Sequence, residues 1–182
     1  ADAADVAGAR TCSEAWVGPE EDGLFGEVAA RNAALTRAPR ELQADYFRML
    51  EYKAGQHFAA HTDYYEPDDF RQQPQMMEEL KDGRNWLVTT YVYLSSVKEG
   101  GETYFPSTYG GPLPKLDGAC EGPSVTPRTG RALMFYSLWA NSTPNLSSMH
   151  GACAVRRGIK YTANMWTFNQ AKSAGRPGKV RR

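Results

Sequence analysis

Histidine is scarce in this chain of 182 residues: His57, His61 and His150 are all it has. Cysteine is equally scarce, with Cys12, Cys120 and Cys153. Three thiols without a C-x-x-C spacing exclude a disulfide-built scaffold and argue against a structural zinc site. They leave room for one disulfide and one odd thiol. No apolar run approaches the roughly 18 residues that span a bilayer, so any membrane attachment is expected from a segment outside this chain. No secretory leader is recognisable at Ala1, which reads as the interior of a longer precursor. Internal repeats and βαβ alternation are absent as well, which argues against solenoids and doubly wound α/β folds.

Net charge is also lacking, with 21 Lys and Arg against 21 Asp and Glu. The balance is uneven along the chain: residues 1–100 carry a net −8 and residues 101–182 a net +8. Two complementary faces of one domain account for this. A nucleic-acid footprint needs a larger clustered basic patch, so no nucleic-acid partner is expected. With 41% hydrophobic and 23% charged residues, a globular domain with a real core is expected. We read one domain over 1–170 and a basic, flexible tail over 171–182, where Gly175-Arg176-Pro177-Gly178 precedes Lys179, Arg181 and Arg182.

Strand-like segments dominate. Thr11 to Val17 reads as a short strand, and Leu24 to Thr36 as an amphipathic helix with Leu24, Phe25, Val28, Ala29 and Leu35 on its apolar face. Strands follow at Tyr46–Tyr52, His57–Asp63 and Trp86–Leu94, the last dense in β-branched and aromatic residues. A glycine turn at Gly100-Gly101 leads into a short strand ending before Pro106; Tyr109–Pro127 reads as loop, and Gly130–Leu138 as a strand. A strand pair over His150–Val155 and Ile159–Phe168, turning at Arg156-Arg157-Gly158, closes the count at seven or eight. The expected fold is mainly β with flanking helices: a double-sheet sandwich or jelly roll. The polar stretch Glu66–Arg84, with one helical turn at Met76–Leu80, has the length and composition of a lid. Two glycosylation sequons sit together, Asn141-Ser142-Thr143 and Asn145-Leu146-Ser147, with Pro144 after the first.

Against this scarcity of histidine, His61-Thr62-Asp63 stands out. On a strand, residues i and i+2 point to the same face, so an imidazole and a carboxylate are expected to project side by side. One distant histidine makes two His and one carboxylate, the facial triad that leaves open positions for non-haem Fe(II) oxygenases. His150 is the candidate. By itself H-x-D is a common pair of hydrogen-bonded polar residues, and zinc also accepts two His and one carboxylate. An oxygenase of this kind needs an electron donor. A 2-oxo acid that chelates the metal supplies one, and its far carboxylate calls for a cation. Lys160 lies ten residues after His150, across a turn, on what reads as the neighbouring strand of a hairpin. It either meets an anion inside or points outward from an edge strand. Trp166 shares its parity and either walls a pocket or fills the core. Tyr91, Tyr93, Phe105, Phe135 and Tyr136 are expected in the core.

Five motifs appear in order: Tyr52-x-x-Gly55-Gln56; His61-Thr62-Asp63-Tyr64-Tyr65; Gly100-Gly101-Glu102-Thr103-x-Phe105-Pro106; Pro127-x-x-Gly130-x-Ala132-Leu133-x-Phe135; and Ser148-Met149-His150-Gly151-x-Cys153-x-Val155-x-x-Gly158-x-Lys160-Tyr161 with Trp166. Together they resemble the prolyl 4-hydroxylases, Fe(II)- and 2-oxoglutarate-dependent dioxygenases, above all the secretory-pathway members. The resemblance runs from about Arg10 to about Thr167. It implies a cupin-like double-stranded β-helix with iron at the barrel mouth, O2 as oxidant and ascorbate as rescuing reductant. His61, Asp63 and His150 match the metal ligands, and Lys160 matches the lysine that pairs with the distal carboxylate of 2-oxoglutarate. Tyr52 and Thr103 match cosubstrate contacts, and Trp166 an aromatic between cosubstrate and peptide. Arg10 matches the peptide-binding region, over which Glu66–Arg84 would close. Cys120 and Cys153 match a cysteine pair that is disulfide-bonded in plant-like members, which fits the endoplasmic reticulum lumen. The implied substrate is a proline-rich polypeptide, collagen-like or of the hydroxyproline-rich glycoprotein kind. Other expectations are a 2-oxoglutarate oxygenase for another residue or small molecule, and a non-catalytic peptide-binding jelly roll. The chain departs from the family pattern at Trp86, where arginine is usual, at Cys12, where serine is usual, and at Asp45 and Arg48, where Glu and Gln are usual. These positions bear on substrate preference. The family's first helix and strand have no counterpart, so the domain is expected to be shortened at its N-terminal end.

Overall fold

The computed structural model describes residues 10–18, 23–65, 80, 83–107 and 120–172. The elements in order are β1 (Ser13–Val17), α1 (Leu24–Thr36), a 3-10 turn (Arg40–Leu42), β2 (Phe47–Tyr52), β3 (Phe58–His61), β4 (Trp86–Tyr93), β5 (Glu99–Gly100), β6 (Thr103–Tyr104), β7 (Ser124–Val125), β8 (Ala132–Tyr136), a 3-10 turn (Leu146–Ser148), β9 (His150–Ala152), β10 (Val155–Arg157) and β11 (Lys160–Phe168). They form a five-stranded sheet in the order β1-β2-β11-β4-β8 and a four-stranded sheet in the order β3-β9-β6-β7, with β5 and β10 paired beside them. All pairings are antiparallel. From β2 onward the chain passes repeatedly from one sheet to the other (β2 to β3, β3 to β4, β7 to β8 and β8 to β9), which makes the double-stranded β-helix that the strand count and turn spacing anticipate.

The larger sheet is centred on β11 and β4, the two segments richest in β-branched and aromatic residues. Period-2 alternation along them sends one row of side chains inward. Lys160, Thr162, Asn164 and Trp166 of β11 stand beside Thr89, Tyr91 and Tyr93 of β4 and Arg48, Leu50 and Tyr52 of β2. The outer face meets α1, where Phe25 stacks on Phe47 with centroids 4.3 Å apart. Phe25, Ala29 and Asn32 are the buried helix residues, whereas Leu24 and Leu35, expected on the apolar face, are exposed. The buried Asn32 amide donates to Gln43 Oε1 at 2.6 Å, which makes the polar side chain tolerable there.

Two glycines permit close approaches that hold the sheets in register. At Gly100, with φ +77°, an added Cβ would collide with the Ala154 carbonyl. At Gly151 it would lie 2.5 Å from the Tyr104 ring and 2.8 Å from the Phe58 carbonyl. Only glycine lets β9 lie this close to β3 and β6, directly after His150.

Four expectations need correcting. Asp63 does not share a strand with His61, because β3 ends at His61 and Asp63 lies in the bend beyond it. His150 and Lys160 are not on neighbouring strands of a hairpin: β9 pairs with β3 and β6, while β11 pairs with β2 and β4. The segment read as loop before Pro127 contains β7, which pairs with β6. Tyr136, expected in the core, is 46% exposed. The proposed lid falls mostly outside the described residues, as do 173–182 of the tail and 108–119 of the long loop. Leu80, described within the lid segment, is buried against Trp86 and Trp166. Among the described residues no helix is long and apolar enough to cross a membrane.

Candidate metal centre

His61 ends β3 and His150 begins β9, and the two are direct cross-strand partners. Their rings therefore lie on one side of the sheet with centroids 4.6 Å apart. Asp63, in the bend after β3, turns its carboxylate toward the opposite sheet. One ligating atom from each of His61, Asp63 and His150 lies within 4.8 Å of the others, and this is the group of three that the described residues bring together. The remaining histidine, His57, lies outside it.

The surroundings fix how each group is presented. His61 Nδ1 lies 2.9 Å from the Ala59 carbonyl and His150 Nδ1 lies 3.0 Å from the Ser148 carbonyl. A carbonyl only accepts, so each Nδ1 carries its proton and donates, leaving both Nε2 lone pairs free. Burial, reinforced by the neighbouring His150, lowers the His61 pKa to about 4 despite the opposing charge of Asp63. The neutral imidazole is the form a metal takes. Asp63 Oδ2 accepts from Thr89 Oγ1 at 2.5 Å and from Trp166 Nε1 at 3.3 Å. Its Oδ1 lies 3.8 Å from His61 Nε2. One carboxylate oxygen is thus held by the protein while the other faces the imidazole, an outer shell of the kind that orients metal ligands.

A narrow cavity leads inward from the histidines between the sheets, lined among others by Tyr52, Tyr91, Thr103 and Asn164. Beyond it lies Lys160, which is fully buried, so it takes the inward of the two orientations open to it. Among the described residues its Nζ has no hydrogen-bond partner, and it lies 4.9 Å from the ring centre of Tyr52, 5.6 Å from Tyr91 and 5.7 Å from Tyr93. Burial pulls the ammonium pKa down to about 7, with Glu102 opposing the fall. Tyr52 is the register partner of Lys160, and Thr103 accepts from Tyr93 Oη at 2.7 Å. A buried cation without an anion is costly. A ligand carboxylate satisfies it, and two neutral imidazoles beside a carboxylate suit a divalent metal that keeps positions open.

Trp166 both walls the site and fills the core: besides its bond to Asp63, it stacks on Trp86 at 4.6 Å and meets Trp16 at 6.0 Å. Trp16 is 48% exposed and packs edge-on against Tyr46, so an aromatic surface runs from Asp63 to solvent. Arg10 bridges to Phe58 in the backbone, ion-pairs with Glu14 and lies over the Phe58 ring at 5.8 Å. Phe58 in turn stacks on His61 at 3.9 Å, which puts Arg10 one ring away from the histidines. Cys120 and Cys153 are disulfide-bonded, and Cys12 is free and packs beside Tyr52. Thr89, Tyr91 and Asn164 went unnoticed in the sequence as site residues. Their parity with Tyr93, Lys160 and Trp166 was the available signal.

A family model described as the 2OG-Fe(II) oxygenase superfamily matches residues 47–168. The chain is 33% identical over 162 residues to "Probable prolyl 4-hydroxylase 7" of Arabidopsis thaliana, covering 86% of this chain and 48% of that protein. It is 33% identical over 172 residues to "Probable prolyl 4-hydroxylase 9" of the same plant, covering 92% and 56%. The chain thus spans about half the length of these curated relatives. Among solved structures, it resembles the 2OG complex of a viral collagen prolyl hydroxylase from Paramecium bursaria Chlorella virus-1, with a TM-score of 0.66 at 20% identity over 88% of this chain and 80% of that one. A prolyl hydroxylase from Trichoplax adhaerens, in complex with a hypoxia inducible factor oxygen degradation domain peptide fragment, gives 0.56 at 15% identity over 88% and 64%. These likenesses support the jelly-roll fold. By its family match and the His-Asp-His group at the barrel mouth, the chain belongs to the 2OG-Fe(II) oxygenase superfamily.

Proposed function

We propose that this domain is a peptidyl-proline 4-hydroxylase acting on a proline-rich polypeptide. One observation carries the reading: the cavity that starts at His61 and His150 of the candidate metal group is walled further in by Tyr52 and Tyr91, and against those two rings, just beyond the cavity, lies the Nζ of Lys160, without a hydrogen-bond partner among the described residues. A metal-chelating 2-oxo diacid has complementary charge at both of its ends. The relatives named prolyl 4-hydroxylases supply the substrate class.

In this reading His61, Asp63 and His150 hold Fe(II), and Lys160 pairs with the distal carboxylate of 2-oxoglutarate. Tyr52 and Thr103 donate hydrogen bonds to the same cosubstrate. Bound iron with 2-oxoglutarate and O2 supplies the oxidising power that places a hydroxyl on proline C4 and leaves succinate and CO2. The chain's own residues orient the reactants and keep water away. Thr89 and Trp166 hold the Asp63 carboxylate in one rotamer, the Ala59 and Ser148 carbonyls hold the two imidazoles, and the packed rings of Phe58, Phe135 and Trp166 exclude solvent. Ascorbate would be the reductant for turnovers that miss the peptide.

The peptide takes the aromatic surface of Trp16, Tyr46 and Phe58, with Arg10 at its edge. Such a surface suits a polyproline II segment, which is already extended and loses little entropy on docking. The Cys120–Cys153 disulfide and the exposed Asn141 sequon support a place in the endoplasmic reticulum lumen or elsewhere in the secretory pathway. Asn145, of the second sequon, donates its amide to the Tyr136 carbonyl at 2.8 Å.

Incubating the iron-loaded protein with 2-oxoglutarate and proline-rich peptides of both kinds, then sequencing the products by mass spectrometry, tests the assignment. The expected product is a peptide heavier by one oxygen on proline, identified as 4-hydroxyproline. Oxygen on another residue, or no modified peptide while 2-oxoglutarate is consumed, moves the activity to a different substrate.

A further inference from the structure

Among the described residues, Asn164 has no hydrogen-bond partner that would explain a carboxamide in its place. It is buried, lines the cavity with His61, His150, Tyr52, Tyr91 and Thr103, and its Oδ1 is fully enclosed without a partner. Its cross-strand neighbours are Arg48 on β2 and Tyr91 on β4, so it stands in the middle of the inward row. With the oxygen turned into the protein, the NH2 end of the amide is the one left to meet a ligand, and it can only donate.

Its place along β11 narrows the ligand group it can meet. At about 3.3 Å of rise per residue, Asn164 lies about 13 Å along the strand from Lys160 but only about 7 Å from Trp166. Trp166 marks the metal end, through its bond to Asp63. We propose that Asn164 is a further cosubstrate residue, whose amide donates to the metal-side carboxylate of the 2-oxo acid while Lys160 holds the far one. The inference rests on the proposed 2-oxoglutarate site and deepens it. One residue then reads the oxalyl head that all 2-oxo acids share, and another reads the tail that distinguishes 2-oxoglutarate. An asparagine with a purely structural role behaves in the opposite way: replacing an unpaired buried amide with an apolar side chain of equal size stabilises the fold and leaves the ligand untouched.

The test uses the Fe(II)-loaded protein without O2 and two probes, 2-oxoglutarate and pyruvate, which has the same head and no distal carboxylate. Binding is followed by calorimetry and by the metal-to-ligand charge-transfer absorption. Asn164→Leu is expected to weaken both probes by about tenfold, the loss of one hydrogen bond to a charged group. It should also move the absorption band while melting no lower than the wild type. Lys160→Met is expected to weaken 2-oxoglutarate alone. Asn164→Ala, which cannot overpack, should lose affinity for both probes as Leu does. Wild-type affinity in both Asn164 variants, or a loss confined to 2-oxoglutarate, overturns the inference. A wild-type protein that holds iron but neither probe contradicts the proposed function itself.

Discussion

Trp166 Nε1 donates to Asp63 Oδ2 across 3.3 Å, joining the centre of the large sheet to the bend after β3. Thr89 Oγ1 donates to the same oxygen at 2.5 Å. The carboxylate that leaves one sheet is thereby fastened to the other. Trp166→Phe keeps the ring stack on Trp86 and removes the donor; Thr89→Val removes the second donor at nearly constant volume. Each change is expected to lower metal affinity by about 10–100-fold, the usual cost of losing a partner behind a metal ligand. Titration with Mn(II), followed by electron paramagnetic resonance, reads this directly. Unchanged affinity in both variants would mean that Asp63 needs no such support.

Lys160 ties stability to pH. Its ammonium loses its proton near pH 7 in the folded protein, against an ordinary lysine value of 10.5, because burial disfavours the charge. Between these values the unfolded chain binds the extra proton, so the stability of the metal-free protein rises with pH. From pH 7 to pH 9 the gain is expected to be about 1 kcal/mol per pH unit. Denaturant titrations at pH 7, 8 and 9 should show that slope in the wild type and lose it in Lys160→Met. Bound 2-oxoglutarate pairs the ammonium, so its binding at pH 8 should take up a proton, seen as a dependence of the binding heat on buffer.

Gly151 packs directly against the Phe58 carbonyl of β3 and the Tyr104 ring of β6. The Cβ of Gly151→Ala would meet the Phe58 carbonyl and the Tyr104 ring, both too close to accept it. A destabilisation of about 1–3 kcal/mol is expected from overpacking, together with weaker metal binding as β9 moves away from β3. A variant that is destabilised yet binds metal normally would show that the two histidines tolerate this displacement.

The Cys120–Cys153 disulfide closes a loop across a sequence separation of 33 residues. Chain entropy assigns it about 3–4 kcal/mol. The Cys120→Ser variant, compared with the wild type in denaturant titrations with and without a reductant, should lose that amount, and the reductant should then have little further effect. A loss well below 1 kcal/mol would mean that β9 is held by its pairing alone.

The fold class and the three residues that the fold brings together as a candidate metal group were legible in the sequence, and most of the geometry was not. His61, Asp63 and His150 could be singled out because histidine is so rare here. Strand parity, however, gave the wrong reason for the closeness of His61 and Asp63. The real cause is a bend that swings Asp63 onto Thr89 and Trp166, and hydrogen bonds reaching 26 and 103 residues along the chain leave no local pattern. The same limit explains Lys160. Its separation of ten residues from His150 looked like a hairpin, but the chain passes through β10 and crosses to the other sheet. Only the completed barrel buries that lysine among three tyrosines. β7 is two residues long, too short for any alternation to show. Leu24 and Leu35 have helical spacing, yet the sheet offers α1 contact only around Phe25 and Ala29.

The proposed function couples 2-oxoglutarate turnover to a proline peptide at one site. The most direct measurement is succinate formed per hydroxyproline by the iron-loaded protein, with and without the preferred peptide, beside His150→Ala. Peptide-stimulated succinate in a ratio near one to hydroxyproline is expected, with neither product from the variant. Iron and 2-oxoglutarate bound together, with no succinate formed under any proline peptide, would contradict it and leave a binding domain in place of an enzyme.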